Sequence, residues 1–581
     1  MSEAILIFTF SPVQSFIGEA RRASDLFASS KILSRLSYAA ARSLKTNGVT
    51  MIYPANPNSN DMPNKLVARV PFDRARSLAE QAQAALEREW QEIAESARKV
   101  LTQAKPKPDA VWDQIWKRQV GQIWEIYWVA QRMDKNYAQT YSEASRALDA
   151  VKRTRWFLPS EEDGLKDTLS GKRSALRTND QDAREYWKQV AKNFPAAQVR
   201  PEGKERLDAL GAVKRFCDLA GGKNFLSVSS VATQEYLATA QKRSPQALKD
   251  YRQAVEHLLG SHLYRVRPEP DWPYDGDLFF LETLEANRLK DSYRAENLDH
   301  TALEAARQKL KTLYSQVGAP SPYFALLELD GDSMGMSISA CQQEDQHQDF
   351  SQQLAKFAEL VPGIVTHHFG ELIYNGGDDV LVLAPLTQAI PLAQKLAELF
   401  AAKVKQPPNF EVPCSLSAGI AVAHHLYPLD AVRQAALRAL TNAKNLNGKS
   451  AVSVRVLKRS GEQFDLRSYW KSIGSDAGGQ TNFEKCVQLF QDIQGKGSPL
   501  ASRFAYDVLE VSRILSASDE KFESELRRLL KRHRNKKNPE LVNVAECSDR
   551  LLGWAKELPG KSEELGRWLV FARFVAQGGG E

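Results

Sequence analysis

Length, composition and charge narrow the classes of protein that this chain can represent. It has 581 residues, of which 43% are hydrophobic and 26% are charged, and its formal net charge is +7. These values predict a soluble globular protein with several domains, without a membrane span or a signal peptide. The five cysteines are scattered and form no C-x-x-C pair, so neither a disulfide framework nor a zinc site is predicted, and a cytoplasmic location is expected. The modest positive charge permits a polyanionic partner but is weak evidence for one.

The first 133 residues show the order β-α-β-β-α-β, which is typical of a ferredoxin-like unit. The pattern of apolar residues and turn signals predicts each element. The predicted strands are 4–10, 51–54, 65–71 and 122–129, and the predicted helices are 13–41 and 72–101.

Residues 134–318 are predicted to form a mostly helical middle domain with polar loops. Within this domain, Lys214 and Arg215 form a small basic patch beside Phe216. Charges of this kind usually lie on a solvated helix face, and that interpretation is preferred for this patch.

Residues 319–460 repeat the order of the first unit and predict a second ferredoxin-like domain. The predicted strands are 324–329, 372–374, 380–384, 414–423 and 450–456, and the predicted helices are 350–365, 390–404 and 429–444. The expected fold class is therefore α+β, with two palm domains. Residues 461–581 are predicted to be helical and include a basic run at 527–537, which is either a solvated face or a contact for RNA or protein.

The most informative stretch is the predicted hairpin of the second palm. Its turn, 375–379, has the sequence Asn-Gly-Gly-Asp-Asp, and an upstream strand ends in Asp-Gly-Asp at 330–332. If the two strands are neighbours, Asp330 meets Asp378 and Asp379 at one end of the sheet. Clustered carboxylates repel each other unless a cation neutralises them, and two metals held over a phosphate are common in nucleotidyl transfer. The alternative is that the turn reflects only the turn preferences of Gly and Asp.

Other residues near this hairpin are candidate contacts for a nucleotide. Gly376 and Gly377 have no side chains, so the backbone there can approach a triphosphate closely. Lys444 and Lys449 could reach phosphate oxygens as cations, although surface lysines at a helix end are an equal alternative. Ser333 is predicted to face a base.

Several stretches, taken in order, resemble one known family. They are 11–17, 20–21, 25–26, 63–66, 330–335, 376–379, 417–421 and 443–444. They are similar to the large polymerase–cyclase subunit of type III CRISPR effector complexes, in its Cmr-like (III-B) branch. The resemblance covers most of the chain and implies ATP as the substrate and cyclic oligoadenylate as the product. It also implies that the partners are the other subunits of the complex, guide crRNA and target RNA, with foreign RNA paired to the guide as the trigger.

On this resemblance, the second palm carries the catalytic residues. Asp330 with Asp378 or Asp379 is predicted to hold two Mg²⁺ (or Mn²⁺) ions. Asp332 is placed with these metal residues, and capping of the following helix is its alternative role. The candidates for sensing RNA are the linker between the palms and the basic helix around residue 530.

The chain departs from the family pattern in three places. Members commonly begin with an HD nuclease domain, whereas the first palm here starts at Met1 and no His-Asp dipeptide occurs, so no HD-type DNase activity is expected. Asp167 and Ser170 stand where many members have the thiolates of a zinc knuckle, so no zinc is expected. The first palm lacks Gly-Gly-Asp-Asp and is predicted to be a binding or structural partner.

Two other functions stay open at this point. The related hairpin motifs of diguanylate cyclases make a cyclase with a dinucleotide product the main alternative enzyme. The alternative without catalysis is a scaffold that binds guide RNA and partner subunits. The residues of the motifs do not distinguish adenine from guanine.

Overall fold

The structure is a computed structural model that describes residues 2–58, 62–154, 162–219, 225–266, 271–408, 410–474 and 479–580. The strands in these ranges are β1 (Glu3–Ser11), β2 (Thr50–Tyr53), β3 (Lys65–Pro71), β4 (Glu125–Arg132), β5 (Tyr323–Gly331), β6 (Glu371–Asn375), β7 (Asp379–Pro385), β8 (Leu416–His424), β9 (Ala451–Leu457) and β10 (Gln463–Tyr469). The helices are α1 (Gln14–Gly18), α2 (Ala23–Thr46), α3 (Ala75–Gln103), α4 (Ala110–Gly121), α5 (Tyr137–Arg153), α6 (Ala183–Ala191), α7 (Ala209–Phe216), α8 (Val228–Ala232), α9 (Gln234–Arg243), α10 (Pro245–Leu259), α11 (Ala286–Tyr293), α12 (His300–Val317), α13 (Met334–Ala340), α14 (Glu344–His367), α15 (Ala389–Lys403), α16 (Leu429–Lys444), α17 (Trp470–Ile473), α18 (Asn482–Gln488), α19 (Arg503–Ser512), α20 (Glu520–His533), α21 (Val544–Glu557) and α22 (Lys561–Ala576). The predicted α+β class is confirmed.

The first palm is an antiparallel sheet of four strands in the order β2-β3-β1-β4. Its strand β1 is apolar at almost every position because both faces of the sheet are covered. Leu6 and Phe8 pack into the cluster formed with α2 and α3, while Ile5 and Ile7 pack against α5 on the other face. The helix α5, which the sequence assigned to the middle domain, therefore covers one face of the first sheet.

The helix predicted over 13–41 is interrupted, and the interruption has a physical cause. The structure has α1 and α2, separated at residues 19–22. The buried Lys214 donates from Nζ to the backbone carbonyls of Phe16 (2.5 Å) and Glu19 (2.8 Å) at this break. Carbonyls at a helix end lack intrahelical donors, and the lysine satisfies them.

The prediction that Lys214 and Arg215 lie on a solvated face is wrong. Lys214 is 1% exposed and Arg215 is 5% exposed. Arg215 donates from Nε and Nη2 to the two carboxylate oxygens of Asp25, each at 2.6 Å, and from Nη2 to Glu205 at 3.1 Å. Both side chains attach the middle domain to the first palm, because each buried charge requires polar partners there.

The second palm has the same core order as the first. Its sheet runs β10-β9-β8-β5-β7-β6, so the four strands that correspond to the first palm lie in the order β8-β5-β7-β6. The strand β9 pairs parallel to β8, and β10 pairs antiparallel to β9. The strand β10 corrects the expectation that the chain is helical from residue 461 onward. The C-terminal helix α22 packs on this added strand, where the indole of Trp568 donates to the Arg467 carbonyl at 3.1 Å.

The two palms pack against each other through equivalent elements. The first long helix of the first palm, α2, lies against β6, and the corresponding helix of the second palm, α14, lies against β2. Apolar residues of both sheets, including Phe8 and Leu326, belong to one continuous core cluster. The pairing is therefore nearly two-fold symmetric within one chain, as in an isologous dimer. Among the described residues, none of the helices combines the length and apolarity that crossing a membrane requires.

Candidate functional site

The predicted convergence of carboxylates occurs at one end of the second sheet. The strands β5 and β7 are antiparallel neighbours, and their last paired residues are Asp330 and Asp379. Asp378 lies in the turn before β7, where its carbonyl accepts a hydrogen bond of 3.0 Å from the backbone N–H of Gly331. Strand pairing therefore places Asp330 opposite Asp379, and the turn before β7 places Asp378 beside them.

The electrostatics of this end of the sheet favour a bound cation. Burial and the Asp379 carboxylate raise the pKa of Asp378, and burial and Glu328 raise the pKa of Asp379. Glu328 lies two residues before Asp330 on β5, so both side chains point to the same face. Sequence reasoning missed Glu328 as a fourth acid, although its spacing from Asp330 was a usable signal.

Lys444 already provides positive charge to this group. Its Nζ forms an ion pair with Asp330 and donates to the Gly331 carbonyl at 3.3 Å. Burial and the neighbouring Lys449 lower the pKa of Lys444 to about 8. Gly419 on β8 makes this contact possible, because a side chain there would collide with the backbone of α16, the helix that ends at Lys444.

A second lysine lies beside the start of α13. Lys449 donates from Nζ to the Ser333 hydroxyl at 3.0 Å. Ser333, Lys449 and Ser450 all have left-handed backbone conformations, with φ of 60°, 52° and 48°. Such conformations are costly for residues other than glycine and cluster at functional sites. The structure therefore brings Ser333, Lys444 and Lys449 to the same end of the sheet as the carboxylates.

Asp332, which the sequence placed with the metal residues, is bound by neighbouring loops through one carboxylate oxygen. Its Oδ1 is buried without a hydrogen-bond partner among the described residues, and its metal role stays a prediction. Its Oδ2 accepts hydrogen bonds from the Ser415 hydroxyl (2.7 Å), the Ser417 hydroxyl (2.9 Å) and the Ser450 backbone N–H (3.0 Å). The chain leaves β5 at Gly331, which turns Asp332 toward these serines. It does not cap α13 either, since the N-cap of that helix is Ser333. Asp332 holds two neighbouring loops in place.

Positions 376 and 377 of the turn require glycine for two different reasons. Gly377 has a φ of +100°, a conformation that favours glycine. A side chain at Gly376 would collide with the phenol of Tyr374. Asn375 anchors the hairpin by donating from Nδ2 to the Ala358 carbonyl of α14 at 2.7 Å.

The first palm contributes one aromatic side chain to this site. Tyr53 ends β2, and burial together with the nearby Asp378 carboxylate raises its pKa well above the usual range. The ring stacks against His347 of α14, with centroids 6.1 Å apart. No sequence signal could have linked Tyr53 to the hairpin, because the contact depends on how the two palms pack.

The residues at this end of the sheet are candidates for binding a metal ion. Within the part of the chain that the structure describes, no three His, Cys, Asp or Glu side chains are grouped closely enough to hold a metal ion as they stand. Burial and neighbouring acids raise the pKa values of Asp378 and Asp379, and Lys444 pairs with Asp330, so nearby positive charge lowers the cost of ionising this group. Carboxylate oxygens are the donor type that a divalent cation prefers.

The loop that contains Asp167 and Ser170 is organised by a carboxylate. The buried Asp167 accepts hydrogen bonds at Oδ1 from the backbone N–H groups of Leu169 (2.8 Å) and Ser170 (2.6 Å). Its Oδ2 accepts from the Ser170 hydroxyl at 2.8 Å. Asp167 and Ser170 therefore hydrogen-bond to each other and close the turn.

Comparison with known proteins agrees with this architecture. The paired ferredoxin-like domains and the carboxylate hairpin define a palm protein of the nucleotidyl cyclase type. Residues 323–453 match the family model described as Cas10/Cmr2, second palm domain, and residues 5–60 match the model described as CRISPR-associated protein Cmr2, N-terminal. Two segments of the chain therefore match domain models of Cas10/Cmr2 proteins, and the Cmr-like resemblance predicted from the sequence is confirmed.

Individual relatives show how far the similarity extends. The chain is 30% identical over 261 residues to the CRISPR system Cmr subunit Cmr2 of Pyrococcus furiosus, a match that covers 40% of this chain and 29% of that protein. A type III-B Cmr-beta cryo-EM structure in the apo state has a TM-score of 0.64 and 13% identity, covering 100% of this chain and 82% of that one. A Cmr-beta structure bound to cognate target RNA has a TM-score of 0.63 and 12% identity, with coverage of 95% and 80%. These structures share the fold.

Proposed function

We propose that this chain is the large subunit of a type III CRISPR effector complex and that its second palm converts ATP to cyclic oligoadenylate. The observation that carries the proposal is the meeting of Asp330, Asp378 and Asp379 at neighbouring strand ends of a Cas10/Cmr2 second palm domain. Carboxylates at such strand ends suit two-metal nucleotidyl transfer.

In this proposal, Asp330, Asp378 and Asp379 hold Mg²⁺ or Mn²⁺. When bound, the ions lower the pKa of a ribose 3′-hydroxyl and stabilise charge on the attacked α-phosphate and the leaving pyrophosphate. Lys444 leaves Asp330 and binds phosphate oxygens. Lys449, which donates to the Ser333 hydroxyl, also binds the triphosphate.

The remaining residues of the site shape the nucleotide pocket. The backbone at Gly376 and Gly377 approaches the triphosphate, and Ser333 faces the base. Asp332 keeps the loop of Lys449 and Ser450 in its left-handed conformation through the hydrogen bond to the Ser450 N–H. The first palm closes the site with Tyr53 and does not itself catalyse the reaction.

The proposed partners are other subunits of the complex, guide crRNA and target RNA. A Cmr-beta structure similar to this chain is bound to cognate target RNA. In this chain, five cations between residues 531 and 537 are exposed and suit an RNA phosphate backbone: Lys531, Arg532, Arg534, Lys536 and Lys537. Because ATP and Mg²⁺ are always present in a cell, the proposed synthetase must stay inactive until target RNA shifts the balance between two arrangements of the complex.

The test is the initial rate of conversion of labelled ATP or GTP by the purified assembly. Three conditions are compared: matched target RNA, a target whose flank pairs with the guide tag, and no target. We expect cyclic oligoadenylate with the matched target only, and a rate higher by orders of magnitude. A cyclic dinucleotide would favour the alternative cyclase, and no product from either nucleotide would favour the scaffold. Equal rates in all three conditions would rule out the RNA-gated switch.

The middle domain is proposed to fold without zinc. Ser170 already donates hydrogen bonds to Asp167 in the turn where a zinc knuckle would bind the metal. Elemental analysis of the purified chain should find no stoichiometric zinc. About one zinc per chain would contradict this, because structural zinc sites normally use four ligands.

A further inference from the structure

One edge of the first sheet is open where the same edge of the second sheet is covered. The strands β4 and β8 have equivalent positions, because each pairs antiparallel with the first strand of its palm, β1 or β5. In the second palm, β9 pairs with the outer side of β8. In the first palm, β4 is the edge strand, and β1 is the only strand among the described residues that pairs with it.

The burial of the two strands reflects this difference. The strand β8 is buried at all nine positions, whereas β4 is half-buried at seven positions and exposed at the eighth. Three valines of β9 lie opposite apolar residues of β8 and belong to the same core cluster: Val452, Val454 and Val456. The corresponding side chains of β4, Ile126, Trp128 and Ala130, are only partly buried at the margin of their cluster. The core of the first palm is therefore incomplete on this side.

Backbone groups of β4 also face the open edge. The Met133 N–H donates to the Glu3 carbonyl at 2.8 Å, so these two residues form a hydrogen-bonded pair between the ends of β4 and β1. Hydrogen-bonded pairs alternate along antiparallel strands, so Ile126, Trp128 and Ala130 direct their N–H and C=O groups away from β1. These groups have no backbone partner among the described residues.

The strand β4 lacks the features that protect an edge strand from pairing. Natural edge strands often carry proline, lysine or a bulge, because unpaired backbone groups are a template for a further strand. Residues 125–132, Glu-Ile-Tyr-Trp-Val-Ala-Gln-Arg, contain neither proline nor lysine. Their pairing with β1 continues without a register shift. The edge is therefore suited to accept another strand.

We propose that an extended segment of another subunit of the effector complex pairs with β4, as β9 pairs with β8. The comparison with β9 indicates the chemistry of this segment, which brings β-branched apolar side chains to Ile126, Trp128 and Ala130. Its backbone forms hydrogen bonds with the groups that face outward, a mode of recognition known as β-augmentation. The inference rests on the proposed function, which supplies the protein partners.

The first test compares hydrogen–deuterium exchange of the full chain alone and in the assembled complex, resolved to single amides by mass spectrometry. In the isolated chain, the amides of Ile126, Trp128 and Ala130 should exchange about tenfold faster than those of Tyr127 and Val129, which face β1. In the complex, exchange at the three outward amides should slow about tenfold. Unchanged exchange at these amides would overturn the inference. This measurement needs no variant.

A substitution tests the same hydrogen bonds through affinity. Ala130→Pro removes an N–H that faces outward and leaves the bonds to β1 in place, because edge strands accept proline at such positions. Its affinity for the complex assembled from the remaining subunits should fall about threefold to tenfold. Ala130→Ser is the matched control, since it keeps the N–H, and it should bind as the wild type does. Equal affinities of the two variants would overturn the inference.

Photo-crosslinking identifies the occupant of the edge. With a benzophenone amino acid in place of Trp128, the assembled complex should yield a crosslink to one peptide of another subunit. A crosslink to a second copy of this chain would overturn the proposed occupant. Failure of the wild-type chain to join the complex would overturn the proposed function, whereas normal assembly without any change at β4 would overturn this inference alone.

Discussion

The two palms have the same strand order but differ at the end of the sheet where the site lies. In the first palm, the last paired residues of β1 and β3 are Thr9 and Lys65, whereas the last paired residues of β5 and β7 are Asp330 and Asp379. Lys65 donates from Nζ to the Tyr141 hydroxyl at 3.0 Å. A cation therefore occupies the position at which the second palm has an acid.

This difference separates what determines the fold from what determines the chemistry. Apolar residues of both sheets belong to one core, so the two palms stabilise each other whichever residues lie at the ends of their strands. The two palms nevertheless both contribute to the surroundings of the site. The second palm supplies most of the side chains there, and the first palm supplies Tyr53 and Gln14, whose amide oxygen accepts a hydrogen bond from Arg433. The proposed roles of a catalytic palm and a supporting palm follow from this asymmetry, and three changes test it.

The largest expected effect comes from removing the acids that only the second palm has. Asp378→Asn with Asp379→Asn should lower the rate of ATP polymerisation by about a thousandfold or more, because two metals cannot be held without them. Labelled product formed by the assembled complex is the measurement, and assembly should survive because the turn contributes little to the core.

A charge-matched control belongs in the first palm. Asp73→Asn with Asp134→Asn removes two exposed carboxylates there and should leave the rate unchanged. A wild-type rate in the Asp378/Asp379 variant would remove the second palm as the site. A comparable loss in the control would show that net charge, rather than the hairpin, controls the reaction.

A smaller effect is expected from the lysine that contacts the acids. Lys444→Met removes the cation from Asp330 and from the triphosphate, so kcat/KM for ATP should fall about tenfold to a hundredfold, mainly through KM. Lys403→Met, at an exposed position at the end of α15, is the control in the same palm. An unchanged KM for ATP would show that Lys444 contacts only Asp330.

The sequence predicted the fold well because both palms follow simple periodic patterns. Alternating and continuous apolar residues predicted the strands and their order along the chain. As expected, β5 pairs with β7, and this pairing places Asp330 opposite Asp379. The break between α1 and α2 was missed because Lys214, almost 200 positions away, satisfies the carbonyls there. The strand β10 was missed because Gln463–Tyr469 is polar at the edge of its sheet.

The surroundings of the site were harder to predict than its acids. No sign in the sequence indicated that the turn after Gly331 directs Oδ2 of Asp332 to two serine hydroxyls. Tyr53 and Gln14 belong to another domain, and no local pattern relates them to the hairpin. Contacts of this kind depend on tertiary packing, which periodicity and spacing do not encode.

The smallest expected effect is on stability, and its sign depends on pH. Burial raises the pKa values of Asp378 and Asp379 in the folded protein above 3.8, the ordinary value, and the Asp379 and Glu328 carboxylates add to the respective shifts. Between the unfolded and folded pKa values, the native state binds more protons, so stability falls as the pH rises through this window. The cost of ionising Asp378 is complete only above a pH of about 7.

Asp378→Asn cannot ionise and should therefore stabilise the metal-free protein above neutral pH, by about 1 kcal/mol, and much less near pH 4. Thermal unfolding in a chelator at the two pH values measures this difference, with the exposed Asp73→Asn as the control from the first palm. Added Mg²⁺ should stabilise the wild type and not the variant, because only the wild type retains the full set of ligands. If Asp378→Asn raised the stability equally at both pH values, ionisation of the carboxylate would not be the cause. The proposed electrostatic difference between the two palms would then be wrong.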